Sequence, residues 1–218
     1  MQNSAPEIVQ VQSLSHIYGT KTVLDHLDFS IVERSICVVT GSNGSGKTTL
    51  LKILSTLIEP QSGEIRVHGM DARTQAKTVR ALLSCALVNT RGLFPNLSVK
   101  ENLNFHGRLF GMGNTEIETA LADLSPLIGD KLSYRPEALS TGMRQAVLLA
   151  KALMRPVPLY LLDEPYLALD KERIDELNRI LRARAERGAT IVLSAQNAHL
   201  SWIPKIDIKL EIDARGMA

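Results

Sequence analysis

A chain of 218 residues, 44% apolar and 22% charged, is long enough for one domain with a sizeable core, so disulfide or metal staples are not needed to hold it. Its 25 Lys and Arg against 23 Asp and Glu leave a net charge of +2, so no strong field argues for nucleic acid as a partner, and any polyanion bound is expected to be small and held locally. No apolar run approaches the roughly 18 residues of a membrane span, and MQNSAPEIVQ at the N-terminus is no targeting segment, so the chain reads as cytoplasmic, any membrane contact being peripheral.

Alternation in EIVQVQSLSHIYG and TVLDHLDFSIVE predicts two half-exposed antiparallel strands turning at Tyr18 and Gly19. SICVVT is a fully apolar strand, and KTTLLKILSTL a helix with Leu50, Ile53, Leu54 and Leu57 on one face. QSGEIRVHGMD returns to hairpin character, and Leu82 to Val88 is a buried strand in a run containing Cys85, which like Cys37 lacks metal-ligand spacing and reads as a buried thiol. From Asn89 to about Ala138, helical spacing between Gly, Pro and Asn punctuation predicts a small helical insertion, leaving 1–88 and 139–218 as the core. TGMRQAVLLAKALM is a helix capped at Ser140 and Thr141 and stopped by the prolines of RPVP. LYLLDEP is an apolar strand ending in carboxylates. KERIDELNRILRARAERG is a helix with Ile174, Leu177 and Leu181 inward, a solvated basic face and Gly188 at its end, and ATIVLSA is the next strand. Strands alternating with helices predict an α/β fold with a parallel sheet. His16, His26, His68 and His106 stand apart and read as surface or hydrogen-bonded residues.

GSNGSGKT, Gly41 to Thr48, fits the phosphate-binding pattern G-x-x-x-x-G-K-[ST] in its required place between a strand and a helix. Gly41, Ser42, Asn43, Gly44, Ser45 and Gly46 bring backbone N–H groups to phosphate oxygens, with Thr49 following. Lys47 reaches the terminal phosphates, and Thr48 can ligate Mg²⁺. At the end of LYLLDEP, Asp163 can hold Mg²⁺ through water and Glu164 can polarise an attacking water.

With LSTGM, Leu139 to Met143, just ahead of that strand and ALD just after it, the chain resembles the ATP-binding cassette of ABC transporters over nearly its whole length. The resemblance implies a P-loop NTPase core with bound ATP and Mg²⁺, Tyr18 stacked on adenine, and a head-to-tail dimer. In that dimer Ser140 and Gly142 contact the γ-phosphate held by the other subunit. A packed edge tyrosine is the alternative at Tyr18. The resemblance further implies a separate membrane-spanning permease, docked near Asn89 and the helical insertion on the inner face of the membrane.

Three positions depart from the family pattern. Asn89 stands where a glutamine contacts Mg²⁺ and water. Gln196 stands for a γ-phosphate histidine, which His199 could replace only across a longer loop, and Leu167 stands for a polar residue, although Asp170 is kept. Losing one preorganised hydrogen bond commonly costs about 10²-fold to 10³-fold in rate, so the resemblance implies an ATPase that binds and closes but turns over slowly. The texture is that of single-cassette exporters, of the drug, antibiotic or polysaccharide type or the haem exporter of cytochrome c maturation. A regulatory cassette of a heterodimer and a soluble non-transport member are the alternatives.

Overall fold

The computed structural model describes residues 6–87, 92–203, 205–213 and 216–217. Two sheets organise them. The N-terminal strands β1 (Glu7–Tyr18) and β2 (Lys21–Val32) pair antiparallel, and β1 also pairs antiparallel with β4 (Ser62–Val67), which pairs with the short β5 (Met70–Asp71). The second sheet runs in the order β10, β9, β3, β8, β7, β6. Its strands β3 (Ile36–Thr40), β6 (Leu83–Ala86), β7 (Leu159–Leu162), β8 (Thr190–Ser194) and β9 (Ile208–Asp213) are parallel, and β10 (Gly216–Met217) closes an edge hairpin.

The apolar strands are apolar on both faces because the parallel sheet has a core on each side. Cys37 and Val39 of β3, with Leu159 and Leu161 of β7, face the core shared with the antiparallel sheet and with Leu50, Leu51, Ile53 and Leu54 of α1 (Lys47–Leu54). Ile36, Val38, Tyr160 and Leu162 face the opposite core, built from α3 (Val99–Leu109), α4 (Asn114–Ile128), α5 (Thr141–Leu153) and α6 (Lys171–Glu186). The period-2 alternation of side chains splits each strand between the two layers. Burial pushes the Cys37 thiol up to about 12, an inert core residue; Cys85 is half-buried.

Three details differ from the sequence reading. Helix α1 ends at Leu54 because Thr56 adopts φ 58°, which leaves Leu57 exposed rather than on the buried face. A short helix, α2 (Ala76–Ala81), precedes β6. Arg184 is buried on the face of α6 that its basic composition suggested was solvated, and its Nη2 donates to the Leu153 carbonyl at 2.9 Å.

The turn entering α3 is organised by Asn102, which is fully buried. Its Oδ1 accepts from the Phe94 N–H at 2.6 Å, and its Nδ2 lies within donating distance of the Phe94, Leu97 and Ser98 carbonyls, at 3.1, 3.0 and 3.0 Å. Ser98 and Glu101 close a capping box at the same end. Asn102→Ala removes the acceptor of the Phe94 N–H and the side-chain donor to the turn carbonyls, and is expected to lower stability by about 1–3 kcal/mol in urea unfolding. The exposed control Lys100→Ala should change it by no more than about 0.5 kcal/mol.

Candidate functional site

The loop from Gly41 to Gly46 joins the buried end of β3 to α1. Gly46 takes φ 108°, and a Cβ there would lie 2.8 Å from the Val23 carbonyl oxygen and 2.6 Å from Leu24, so β2 fixes glycine at this position. Ser42, Asn43 and Gly44 form the exposed tip. Helix α1 has no side-chain cap and no acidic residue in its first turn, so its leading N–H groups and positive dipole end are open to an anion. Ser45 Oγ is buried among the described residues without a hydrogen-bond partner, a polar atom that a phosphate oxygen would satisfy. Lys47 is 6% exposed, and its Nζ donates to the Gly41 and Ser42 carbonyls at 2.8 and 3.0 Å. Thr49 is buried in the first turn.

The strand ends of the parallel sheet bring a second set of groups to the same place. Asp163, just past β7 and 2% exposed, accepts the Thr48 hydroxyl at 2.8 Å on Oδ2 and the Ser194 hydroxyl at 2.6 Å on Oδ1. The Glu164 N–H in turn donates to Ser194 Oγ at 2.8 Å. Glu164 itself sits at φ 47°, a backbone strain of the kind that clusters at functional sites. Its Oε1 lies 4.0 Å from Lys47 Nζ. Its Oε2 is buried without a hydrogen bond, 3.9 Å from Nδ1 of His199. Burial raises the Glu164 pKa above the ordinary glutamate value. Lys47 opposes that rise, Asp163 adds to it, and His199 and the Gln196 backbone pull it back. Thr48 and Asp163 offer adjacent hard oxygens, the donor type that Mg²⁺ takes alongside phosphate and water. The described residues contain no cluster of three His, Cys, Asp or Glu able to hold a metal alone, so such an ion would draw its remaining ligands from the phosphates.

Other sequence-derived candidates fall around this centre. Tyr18 is 49% exposed at the end of β1, and its ring makes a T-shaped contact with His16 at 4.7 Å. His16 is not a surface residue: it is buried, and neither ring nitrogen has a hydrogen-bond partner. Ser140 caps α5 by accepting from the Met143 N–H at 3.3 Å and remains exposed. A Cβ on Gly142 would stand 2.3 Å from the Ala168 carbonyl oxygen, so the start of α5 and the loop after Glu164 touch backbone to backbone. Leu167 is exposed on that loop, and Asp170 caps α6. Gln196 is half-exposed, and Asn89 lies outside the described residues. Sequence reasoning passed over Ser194, although a hydroxyl ending the otherwise apolar TIVLS was a legible signal.

The family model for ABC transporters matches residues 24–167, which include the phosphate loop, the signature stretch and the Asp163–Glu164 pair. The chain belongs to the ABC transporter family. Like others of the family it is an ATP-binding subunit with an ATPase cassette. It is 33% identical over 177 residues to the ABC transporter ATP-binding protein NatA of Bacillus subtilis, covering 80% of this chain and 72% of that one. It is 32% identical to the cytochrome c biogenesis ATP-binding export protein CcmA of Xanthomonas campestris, with 90% of both chains covered. It is also 32% identical to the spermidine/putrescine import ATP-binding protein PotA of Pseudomonas aeruginosa, covering 86% of this chain but only 52% of that relative's length. A solved ATP-binding subunit of an ABC transporter superposes with a TM-score of 0.85 at 27% identity, covering 96% of this chain and 88% of the other.

The cassette's Ser194→Ala variant removes a buried hydrogen bond to a charged carboxylate and the acceptor for the Glu164 N–H. It should fold normally by circular dichroism yet lose about 1.5–3 kcal/mol in urea unfolding.

Proposed function

We propose that this cassette hydrolyses ATP slowly, as a Mg²⁺-dependent homodimer on the inner face of the membrane, to drive export through a separate membrane-spanning permease. The observation that carries the reading is the convergence of Lys47, Thr48, Asp163 and Glu164 at the mouth of an uncapped helix. Gly41 to Thr49 would cradle the phosphates, Tyr18 would stack on adenine, and Ser140 and Gly142 would close on the γ-phosphate of the opposing copy. Thr48, Asp163 and Asn89 would hold the Mg²⁺, which supplies charge neutralisation on the phosphates when bound.

Within this assignment Lys47 exchanges its two loop carbonyls for phosphate oxygens. Glu164 accepts a proton from the attacking water as the water oxygen bonds to the γ-phosphorus and the bond to the leaving ADP oxygen breaks. Its burial keeps the carboxyl basic enough for that task. Gln196 can donate a hydrogen bond to the γ-phosphate but cannot titrate, which supports slow turnover. The likeness to a cytochrome c biogenesis exporter, 32% identical over 90% of both chains, supports the export-type reading. No described helix is long and apolar enough to cross a membrane. A docking place for the permease is the cluster of Phe94, Phe105, His106 and Phe110, whose three phenylalanines are each more than 40% exposed.

Hydrolysis by the purified chain should rise more steeply than linearly with its own concentration, stay well below about 10 per second, and vanish in Glu164→Gln. Linear dependence would refute the dimer, and turnover surviving the substitution would refute Glu164 as base. Because the raised Glu164 pKa must be exceeded for the base form to exist, acidification should cut turnover at a higher pH than an ordinary glutamate would. A pH–rate profile reads that limb directly.

A further inference from the structure

Glu164 is held between two side chains in the nucleotide-free site, the Lys47 ammonium 4.0 Å from Oε1 and the His199 imidazole Nδ1 3.9 Å from Oε2. Both members of the second pair are withdrawn from water, their side chains 16% and 12% exposed. If Lys47 is committed to phosphate when ATP arrives, the Glu164 carboxylate keeps the Gln196 backbone and the His199 ring beside it, and its Oε2 has no hydrogen bond of its own. A buried carboxylate oxygen with no hydrogen bond is costly and badly aimed.

His199 is held in place from both sides. It lies on the 3-10 turn Asn197–Trp202 with its ring stacked on Trp202, centroids 4.4 Å apart and planes within 18°. Trp202 meets the edge of Tyr166, which stands on the same loop as Glu164. The Tyr166 hydroxyl donates to Asn178 Oδ1 of α6 at 2.7 Å, and Asn178 Nδ2 donates to the Trp202 carbonyl at 2.7 Å. The turn, α6 and the Glu164 loop are thereby one tied unit, so His199 moves with the carboxylate it faces. The 3-10 turn brings His199 to Glu164.

We infer that His199, braced by Trp202, is a positioning residue that aims the Glu164 carboxylate once Lys47 has turned to the phosphates. The inference rests on the ATPase reading above and on Glu164 as its base. The groups that face the carboxylate are Lys47 from α1, Asp163 and the Gln196 backbone from the strand ends, and His199 from the turn.

The test is steady-state ATPase kinetics of the whole chain with His199→Phe, which keeps an aromatic ring on Trp202, and His199→Arg, which keeps an N–H donor toward the carboxylate, beside the wild type and Glu164→Gln. The expected result is a kcat lowered about 10-fold to 100-fold in His199→Phe, with KM for ATP within about twofold and an unchanged melting temperature. His199→Arg should recover several-fold of that loss. A His199→Phe kcat within about threefold of wild type, or a rise in KM at constant kcat, would overturn the inference, since either places the residue outside the chemical step. Equal losses of kcat and melting temperature in both variants would also overturn it, as a packing role. A wild type that binds ATP without turnover removes the ATPase reading, and this assignment with it, a failure distinct from that of His199 alone.

Discussion

The site depends on one buried carboxylate. Asp163 is withdrawn from water at the end of β7, and its two oxygens take the hydroxyls of Thr48 on α1 and Ser194 on β8. Three strand-and-helix junctions that are far apart in sequence are thus pinned to one charge. A buried carboxylate is tolerable only when its lone pairs are used, and here that use positions the first turn of α1 against the strand ends. Ser194 Oγ then accepts the Glu164 N–H, so the same junction sets the strained turn that points the second carboxylate at Lys47.

The two-sided core makes that junction rigid. Each central strand gives alternate residues to the helical layer and to the layer shared with the antiparallel sheet, so the strand ends cannot slide without disturbing both. Groups at the edge of such a scaffold are held against it while surface elements stay open, as the exposed phenylalanines around α3 do.

Much of this was legible in the sequence because the phosphate loop is a local motif: its glycines, Lys47 and Thr48 are contiguous, and the Asp163–Glu164 pair ends an unmistakable apolar run. The α/β class followed from the alternation of strands with amphipathic helices. What escaped depended on distant contacts. Ser194 matters because β8 lies beside β7, and His199 reaches Glu164 through a 3-10 turn that no periodicity announces. The early end of α1 turns on the positive φ of Thr56, and the burial of Arg184 on a neighbouring carbonyl of Leu153. The C-terminal strands β9 and β10 were missed because IDIKLEID alternates too briefly to distinguish an edge strand from a loop.

The most direct test of the account is a structure of the Glu164→Gln chain with ATP and magnesium. The account requires Lys47 Nζ to have left the Gly41 and Ser42 carbonyls for phosphate oxygens, Ser45 Oγ to have gained a partner, and the ion to lie between Thr48 and Asp163. Nucleotide bound elsewhere, or Lys47 still held by the two carbonyls with ATP present, would contradict it.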